Sequence, residues 1–348
     1  MKYFKKKYFL LAFFLLFVLW FLLLTCTEKP TVDPENLIIM SWNVQNLMNG
    51  NLDGYEYDEY KPGETWDEND YLSRLKIIGK MLISFKKIPD IIVLQEVENE
   101  SVVKDLVDKV LFVKGFCNYA VAREATGAIS IAVISKIPIE KCIVHAVEEA
   151  RPVLEADFVT KKGPLIVFAI HGASRLNGVE EAERLHLKTF KVIKQIIEYR
   201  HKTNASEAIV IVGDYNTDTS LSIDKDYEGP KALLTVKDEI SYQSEEEGSL
   251  IVTGSPVMIK SNRSFWYSFW LDNCILKDSK GSYFYEKWYS FDNILCNGCL
   301  FDDTGWEFKD AGVISNGKLL KENNIPFNWD LKLKQGISDH LPVWLEIE

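Results

Sequence analysis

One stretch constrains the fold of this chain more than any other, namely Ile209-Val-Ile-Val-Gly-Asp-Tyr-Asn216. Its four β-branched residues predict a strand that is buried on both faces. Gly213 ends the strand, and Asp214 and Asn216 follow at its carboxyl end, where open α/β sheets bind their ligands. Residues two apart in an extended segment point the same way, so this carboxylate and this amide would face one point. An ordinary turn after a core strand explains the stretch equally well when it is considered alone.

The rest of the chain favours one large α/β domain. Its 348 residues are enough for a sizeable core, and the sequence has no fixed-period repeat and no second core-sized block. Apolar spacing predicts helices over residues 71–87, 101–112 and 180–200, with Ser101 as the N-cap of the second. Short turns join many of the predicted strands. We therefore expect a mixed, two-layer sheet arrangement with outer helices.

The chain is acidic, with a formal net charge of −11 at pH 7. Four lysines and no acid fall within residues 1–25, so the remainder is more acidic still. A body of this charge has no broad basic footprint, which argues against tight non-specific binding to nucleic acid. Catalysis on a phosphodiester stays compatible with this charge, because a bound divalent cation supplies local positive charge.

The N-terminus predicts a targeting segment. Residues 1–25 combine a lysine-rich start with an uncharged apolar run, and we interpret them as a signal peptide or signal anchor. Leu23-Leu-Thr-Cys26 resembles a bacterial lipoprotein cleavage box, and the alternative is an uncleaved anchor. Residues 26–36 form a polar tether, and residues 37–348 form the domain. Both alternatives predict an extracytoplasmic protein that is membrane-anchored or secreted.

Two further patterns have more than one explanation. Cys296 and Cys299 form a CxxC pair, but no second pair exists to complete a zinc site. We expect a structural disulfide or two free thiols. The acid-rich loop over residues 48–71 is interpreted as a solvated surface loop, with an auxiliary cation site as the alternative.

Polar residues stand at the ends of several strand-like runs. Each has an ordinary explanation alone, but the coincidence of the whole set favours a site. The set comprises Asn43, Glu96, His171, Asp214 with Asn216, and Asp339 with His340. Hard oxygen ligands without cysteine suit Mg²⁺ or Mn²⁺ better than zinc. Histidines beside carboxylates can move protons and hold a phosphate oxygen, so the set indicates metal-assisted hydrolysis of a phosphate ester.

The ordered motifs of the chain resemble those of the endonuclease/exonuclease/phosphatase superfamily, which has the fold of DNase I. They cover nearly all of the chain after the tether, and the secreted bacterial branch is the most similar. The matching stretches are Ser41-Trp-Asn-Val-Gln-Asn-Leu47, Pro89-Asp-Ile-Ile-Val-Leu-Gln-Glu-Val-Glu-Asn99, His171-Gly-Ala-Ser-Arg175, Gly213-Asp-Tyr-Asn216, Trp288-Tyr-Ser-Phe-Asp-Asn-Ile-Leu295 and Ser338-Asp-His-Leu-Pro-Val343.

The resemblance implies a four-layer α/β/β/α sandwich of the α/β class. It also implies a Mg²⁺ cofactor, with Mn²⁺ and Ca²⁺ as alternatives. The metal ligands it implies are Glu96, with Asn43 beside it, and Asp339, which binds the metal or orients its water. A departure from the family pattern follows His171, where Gly172 and Ala173 replace bulkier residues.

The resemblance assigns catalytic roles to five further residues. Asp214 orients or deprotonates the attacking water, and Asn216 binds a phosphate oxygen. His340 contacts the scissile phosphate, and Asp292 fixes its tautomer and charge. His171 is a second phosphate-side histidine and a candidate acid. The general base is left open between Asp214, His340 and a metal-bound hydroxide.

Three functions are consistent with the sequence. The first is an extracytoplasmic nuclease on DNA or RNA, working as a monomer. The second is a sphingomyelinase-like or other small-phosphoester phosphodiesterase. For that function Ser264-Phe-Trp-Tyr-Ser-Phe-Trp270 would be a membrane-facing projection, although these aromatics can equally be buried. The third is a catalytically silent binding lipoprotein of the same fold.

Overall fold

A computed structural model describes residues 34–63, 65–236, 247–276, 280–315 and 317–348. The predicted signal segment and most of the predicted tether lie outside the described residues, so they stay predictions. Within the described ranges, none of the helices is both long and apolar enough to cross a bilayer.

The strands of the described residues follow one another along the chain as β1 (Leu37–Leu47), β2 (Ile91–Val97), β3 (Asn118–Arg123), β4 (Ser130–Ser135), β5 (Lys141–Val147), β6 (Ala150–Thr160), β7 (Gly163–His171), β8 (Ala208–Asp214), β9 (Leu233–Thr235), β10 (Leu250–Thr253), β11 (Phe265–Ser268), β12 (Tyr283–Tyr285), β13 (Lys287–Tyr289), β14 (Asp292–Cys296), β15 (Phe308–Val313) and β16 (Val343–Ile347).

The α-helices of the same residues are α1 (Glu68–Leu82), α2 (Glu100–Leu106), α3 (Val179–His201) and α4 (Pro256–Ser261). A π-helical turn, Val107–Leu111, continues α2. Short 3₁₀ turns are Asp58–Tyr60, Phe112–Lys114, Arg175–Asn177, Leu221–Ile223, Phe269–Leu271 and Gly298–Phe301.

Two large sheets organise the described part of the chain. One has the strand order β15-β16-β1-β2-β4-β3, and the other has the order β5-β6-β7-β8-β14-β11-β10-β9. Both are mixed, since β1 pairs in parallel with β2 and β7 in parallel with β8, while most other pairs are antiparallel. The small hairpin of β12 and β13 forms a third sheet, and its Tyr283 makes an isolated bridge to His340.

Three apolar cores separate four layers. The central core packs the inner faces of the two sheets together and includes Val93, Phe158 and Val210. A second core packs α1 and α2 on the first sheet, and a third packs α3 on the second sheet. The predicted four-layer α/β/β/α sandwich is therefore confirmed.

Local sequence explains how the outer helices begin. Asp67 caps α1, because its side chain accepts from the Asp70 amide while Asp70 accepts from the Asp67 amide. The predicted cap of the second helix was wrong by two residues. Asn99 is the N-cap of α2, since its side chain accepts from the Val102 amide at 3.2 Å. Both residue types cap helices well, so the sequence alone did not separate them.

Two alternatives left open by the sequence are now decided. The run Ser264-Phe-Trp-Tyr-Ser-Phe-Trp270 supplies β11, in the interior of the second sheet, and Tyr267 and Phe269 are buried. These aromatics therefore do not project toward a membrane. Cys296 ends β14, and both it and Cys299 are buried free thiols.

Candidate active site

Three predicted site residues form one row across the second sheet. In the parallel pair of β7 and β8, His171 is opposite Asp214, and in the antiparallel pair of β8 and β14, Asp292 is opposite Asp214. Residues in register on neighbouring strands share one face of a sheet. All three are almost fully buried. The ladder therefore brings together residues that are far apart in the chain.

Glu96 reaches the same place because the first sheet is irregular there. The register of β2 with β1 shifts between Asn43 and Leu47, and its register with β4 shifts between Gln95 and Val97. Glu96 has a left-handed backbone with φ of 62°. Gln45 and Asn46, on the facing part of β1, are left-handed too. A bulge re-aims a side chain, and such strain concentrates at functional sites.

Asn43 connects the two sheets at this end of the sandwich. Its Nδ2 donates to Glu96 Oε1 at 3.0 Å and to Asp214 Oδ2 at 3.0 Å. Its Oδ1 accepts from the Gln45 amide at 3.0 Å. Asn43 was predicted as a metal ligand beside Glu96, and in this geometry it holds two carboxylates in place. Its predicted role in metal binding stays a prediction.

His340 and Asp292 form a buried pair. His340 Nδ1 is 2.7 Å from Asp292 Oδ2, and His340 Nε2 is 3.8 Å from Asp214 Oδ2. Burial by itself lowers the pKa of this imidazole, but Asp292 and Asp214 raise the pKa of His340 well above its usual value. The imidazolium can therefore face a phosphate oxygen while Asp292 fixes its Nδ1 proton.

Asp214 lies at the centre of these groups. Burial raises the pKa of Asp214 to about 7, although the charge of His340 opposes the rise. Its Oδ1 accepts from the Asn216 amide at 2.9 Å. Asn216 itself has φ of 52° and donates from Nδ2 to the Gly172 carbonyl at 3.2 Å. The predicted Asp214 and Asn216 thus face one cleft, as the strand-end argument required.

His171 is close to two carboxylates but bonded to neither. Its Nε2 is 3.7 Å from Asp214 Oδ2 and 4.0 Å from Glu96 Oε1, and its buried Nδ1 has no hydrogen-bond partner among the described residues. Burial, with the nearby charge of Arg151, lowers the pKa of His171 well below its usual value. A neutral ring suits a phosphate-side hydrogen bond better than proton donation.

The unusual Gly172 after this histidine has a steric reason. A Cβ at Gly172 would lie 2.2 Å from the carbonyl oxygen of Tyr215. The Gly172 amide also donates to the Asp214 carbonyl at 2.8 Å. The ends of β7 and β8 approach so closely that only glycine fits.

Glu96 and Asp339 are the carboxylates predicted to hold a divalent cation, while Asp214, Asp292 and His340 are the group at this site whose ligand atoms all lie within 4.8 Å of one another. Burial raises the pKa of Glu96, and the charge of Asp339 raises it further. Burial also raises the pKa of Asp339. Two half-buried carboxylates that repel each other fit a hard cation such as Mg²⁺. The two predicted metal carboxylates therefore have suitable chemistry, and their ligand roles stay predictions.

A cleft of about 860 Å³ opens over these groups. The aromatic residues Tyr283, Tyr285, Tyr289 and Phe291 line it, and we call them the aromatic wall. The rings of Tyr283 and Phe291 stack at 5.4 Å, and those of Tyr289 and Phe291 at 4.7 Å. The Tyr283 ring also lies 4.6 Å from that of His340. The wall thus runs directly up to the reactive groups.

Two arginines also line the cleft. Arg175 packs on the wall 4.8 Å from the Phe291 ring, and its Nε donates to the Asn216 carbonyl at 2.9 Å. Arg151 donates to the Gly172 carbonyl at 2.6 Å. Arg184, by contrast, is an exposed ion-pair partner of Glu180 and Glu181. Arg175 and Arg184 both follow His171 closely in the sequence, so sequence position alone does not separate the cleft arginine from the surface arginine.

Several supporting residues were not identified from the sequence. Gln45 Oε1 accepts from the amides of Trp329 and Asp339, at 2.6 Å and 3.1 Å, and so fixes the Asp339 loop. Ser338 Oγ donates to the Asn43 carbonyl at 2.7 Å and accepts from the His340 amide. Gln45 and Ser338 lie inside two of the family motifs, and this position could have identified them as supporting residues. No sequence signal marked Arg151, because it is a single arginine at the start of β6, a strand that the sequence did not predict.

The chain was compared with family models, with curated sequences and with solved structures. Residues 38–241 match the model of a family described as the Endonuclease/Exonuclease/phosphatase family. A search of curated protein sequences found no match.

Solved structures share the fold at low identity. Truncated TDP2 of Caenorhabditis elegans superposes with a TM-score of 0.52 at 13% identity, covering 90% of this chain and 98% of the other. TDP2 of D. rerio with a single-strand DNA product has a TM-score of 0.51 at 13% identity, covering 90% and 100%. The human Nocturnin catalytic domain with a bound sulfate has a TM-score of 0.52 at 12% identity, covering 91% and 96%.

Proposed function

Because the chain belongs to the endonuclease/exonuclease/phosphatase family, we propose that it is a divalent-metal-dependent phosphodiester hydrolase acting on DNA or RNA. The arrangement around Asp214 carries this proposal. His340, His171, Asn43 and Asn216 all approach its carboxylate, within 3.8 Å or by hydrogen bond. A phosphate entering the cleft meets a positive imidazole, a neutral imidazole and an amide at one place.

The site residues have separate tasks in this reaction. His340, held by Asp292, binds a non-bridging phosphate oxygen, and Asn216 binds another. Asp214 orients the attacking water and accepts its proton, for which a pKa of about 7 is well matched at neutral pH. Glu96, Asn43 and Asp339 would hold Mg²⁺, with Mn²⁺ or Ca²⁺ as alternatives. When bound, the cation neutralises charge at the phosphate.

The aromatic wall favours a substrate with nucleobases. Bases stack on exposed aromatic faces for about 1–3 kcal/mol each, without regard to sequence. The wall begins beside His340 and its Tyr285 is exposed, so a base near the scissile phosphate could stack on Tyr285. Arg175, between the wall and Asn216, can bind a flanking phosphate. A single-stranded end is the form of nucleic acid that presents free bases in this way.

A substrate panel tests the proposal. Full-length protein is incubated with single- and double-stranded DNA, RNA, sphingomyelin and phosphoinositides, each with Mg²⁺ and with EDTA. We expect cleavage of nucleic acid in Mg²⁺, with loss in EDTA and in His340→Ala. His201→Ala, at the exposed end of α3, is the matched control and keeps activity. Circular dichroism confirms that both variants are folded.

Other outcomes assign other functions. Cleavage of sphingomyelin or phosphoinositides alone would identify a lipid phosphodiesterase instead. Absence of turnover on the whole panel would support the catalytically silent binding lipoprotein. Unchanged turnover in His340→Ala would contradict the mechanism whatever the substrate.

We propose that the domain acts outside the cytoplasmic membrane, tethered through residues 1–36 or released by cleavage. The apolar, lysine-led start of the chain and its Cys26 support this location. Protease added to spheroplasts, which keep the cytoplasmic membrane intact, should digest the protein. Protection that persists in spheroplasts, whose cytoplasmic membrane is the barrier left intact, with digestion only after lysis, would contradict an extracytoplasmic location.

A further inference from the structure

A second acidic cluster lies outside the catalytic groups. One carboxylate oxygen from each of Asp53, Glu56 and Glu98 lies within 4.8 Å of the others. Asp53 and Glu56 belong to the loop between β1 and α1, and Glu98 directly follows β2. None of the three belongs to the set that surrounds Asp214. The loop was interpreted from the sequence as solvated, yet Glu56 is buried.

Glu98 has a buried oxygen without a partner. The residue is completely buried, and its Oε2 accepts from the Asn49 amide at 2.6 Å. Its Oε1 has no hydrogen-bond donor among the described residues. A buried carboxylate oxygen without a partner is costly, so this position calls for a proton or a cation. Since the side chain is directed into the cluster, a cation shared with Asp53 and Glu56 would satisfy this oxygen; those two carboxylates already accept from Arg123 and from the Gly54 amide.

The charge balance of the cluster fits a divalent ion. Three carboxylates meet here, and within the described ranges Arg123 pairs with one of them, Asp53. About two negative charges therefore remain uncompensated.

The oxygen-bearing side chains before Gly54 are spaced as they are in calcium-binding loops. Asn49, Asn51 and Asp53 alternate along the chain, and Gly54 follows with φ of +96°. Alternate oxygen-bearing side chains ahead of a turning glycine form the first half of the calcium-loop pattern. In that pattern a glutamate closes the loop, and here Glu98, from a strand end, would take its place.

We propose that Asp53, Glu56 and Glu98 form a calcium site that fixes the loop between β1 and α1 to the end of β2. Calcium is preferred because it accepts many oxygen ligands in irregular geometry, whereas Mg²⁺ demands a near-ideal octahedron. Tyr57 and Glu59 of the same loop line the active-site cleft. The ion would thus hold one rim of the cleft in place without contacting the reacting atoms.

Calcium-dependent thermal unfolding of the full chain tests this site. We expect Ca²⁺ to raise the Tm of the wild type. The same rise should persist in Glu96→Gln, in which the catalytic metal carboxylate is replaced. It should be lost in Glu98→Gln and in Asp53→Asn. Asp58→Asn changes an exposed acid of the same loop and should keep the rise.

Terbium luminescence gives a second readout that does not depend on activity. The Trp66 indole donates to the Asn49 carbonyl at 3.0 Å, so an aromatic donor is close to the cluster. Tb³⁺ bound there should be sensitised in the wild type and in Glu96→Gln, and displaced by Ca²⁺. Both signals should be lost in Asp53→Asn, which lies in the exposed part of the loop and guards against misfolding of Glu98→Gln.

Three results would overturn the site. They are a wild type whose Tm and luminescence do not respond to Ca²⁺, responses that survive in Asp53→Asn and Glu98→Gln, and responses that vanish in Glu96→Gln. The last would assign the ion to the catalytic carboxylates. Loss of nuclease activity in the substrate panel leaves these readouts unaffected, so the two proposals fail separately.

Discussion

Asp214 is the residue around which the candidate site is arranged. It receives a hydrogen bond from Asn43 of the other sheet and one from the Asn216 amide, and both site histidines approach its Oδ2. Because it is buried, its charge state depends on these few neighbours rather than on solvent. Small changes in a neighbour should therefore have large effects on turnover.

Asp292→Asn should reduce turnover strongly. The substitution keeps the volume but removes the carboxylate that lies 2.7 Å from His340 Nδ1 and holds the imidazole charged and oriented. We expect kcat to fall by about 10²–10⁴-fold, the range for loss of a positioned acid–base group. Steady-state kinetics on the substrate found by the panel measure this.

The control for this prediction is Asp303→Asn, an exposed aspartate paired with Lys260 on the surface. It should leave kcat unchanged. A fall of less than tenfold in Asp292→Asn, with an intact circular dichroism spectrum, would show that His340 does not depend on this carboxylate.

Helix α3 supports the loop that carries His171 through two buried residues. His186 Nε2 lies 3.0 Å from the Ala173 carbonyl, and His186 Nδ1 lies 3.3 Å from Glu183 Oε1. Glu183 Oε2 also accepts from the Ala232 amide at 2.8 Å, ahead of β9. Neither residue was singled out from the sequence, because both look like ordinary polar positions of an amphipathic helix.

The stability of the domain should depend on Glu183 with a defined pH profile. Burial alone would raise the pKa of Glu183. Hydrogen bonds from His186, Thr217 and the Ala232 amide outweigh burial and lower this pKa below its usual value. A carboxyl whose folded pKa is depressed stabilises the fold above its unfolded pKa, near 4.5, and this contribution is lost as the pH falls through the folded value.

Glu183→Gln should therefore be less stable than the wild type at pH 7, by about 1.5–3 kcal/mol, as for other hydrogen bonds to a charged group. The difference should shrink well below pH 4.5. Urea unfolding at both pH values measures it. Glu180→Gln, exposed on the same helix, is the control and should change little at either pH. A difference that does not vary with pH would attribute the effect to packing alone.

The charge of the whole molecule sets how it should respond to salt. The chain is strongly acidic, and the cleft offers two arginines, Arg151 and Arg175, rather than a basic surface. A protein that neutralises six to ten phosphates loses about 10³–10⁵ in affinity between about 50 and 200 mM salt. Repulsion by the acidic body acts in the opposite direction, because added salt screens it.

We therefore expect kcat/KM on an oligonucleotide to fall by no more than about tenfold over that range. A small phosphodiester with one charge, measured at the same fixed metal concentration, is the control and should change little. A loss of several hundredfold would reveal an extended phosphate-binding surface that this cleft does not provide.

The sequence by itself determined the strands that carry the site. Ile209-Val-Ile-Val, Ile91-Ile-Val-Leu and Leu37-Ile-Ile-Met are continuous apolar runs, and each is buried as β8, β2 and β1. Polar residues at the ends of such runs stand out, so Asn43, Glu96 and Asp214 could be identified by position. The helices over α1 and α3 were found for the same reason, because their apolar spacing is local information.

The tertiary structure alone decided the features that depend on distant partners. Strand β6 was missed because it contains Glu155 and Asp157, which are buried because Arg200 of α3 pairs with both and His145 pairs with Glu155. Likewise Glu96 enters the site through a bulge, and Asn43 joins it to Asp214 from the opposite sheet. Periodicity reports which residues avoid water, but it carries no information on which distant charge will neutralise a buried one. The ion pairs of Arg200 form only once α3 packs on the second sheet, and the contact of Asn43 with Asp214 forms only once the two sheets pack together.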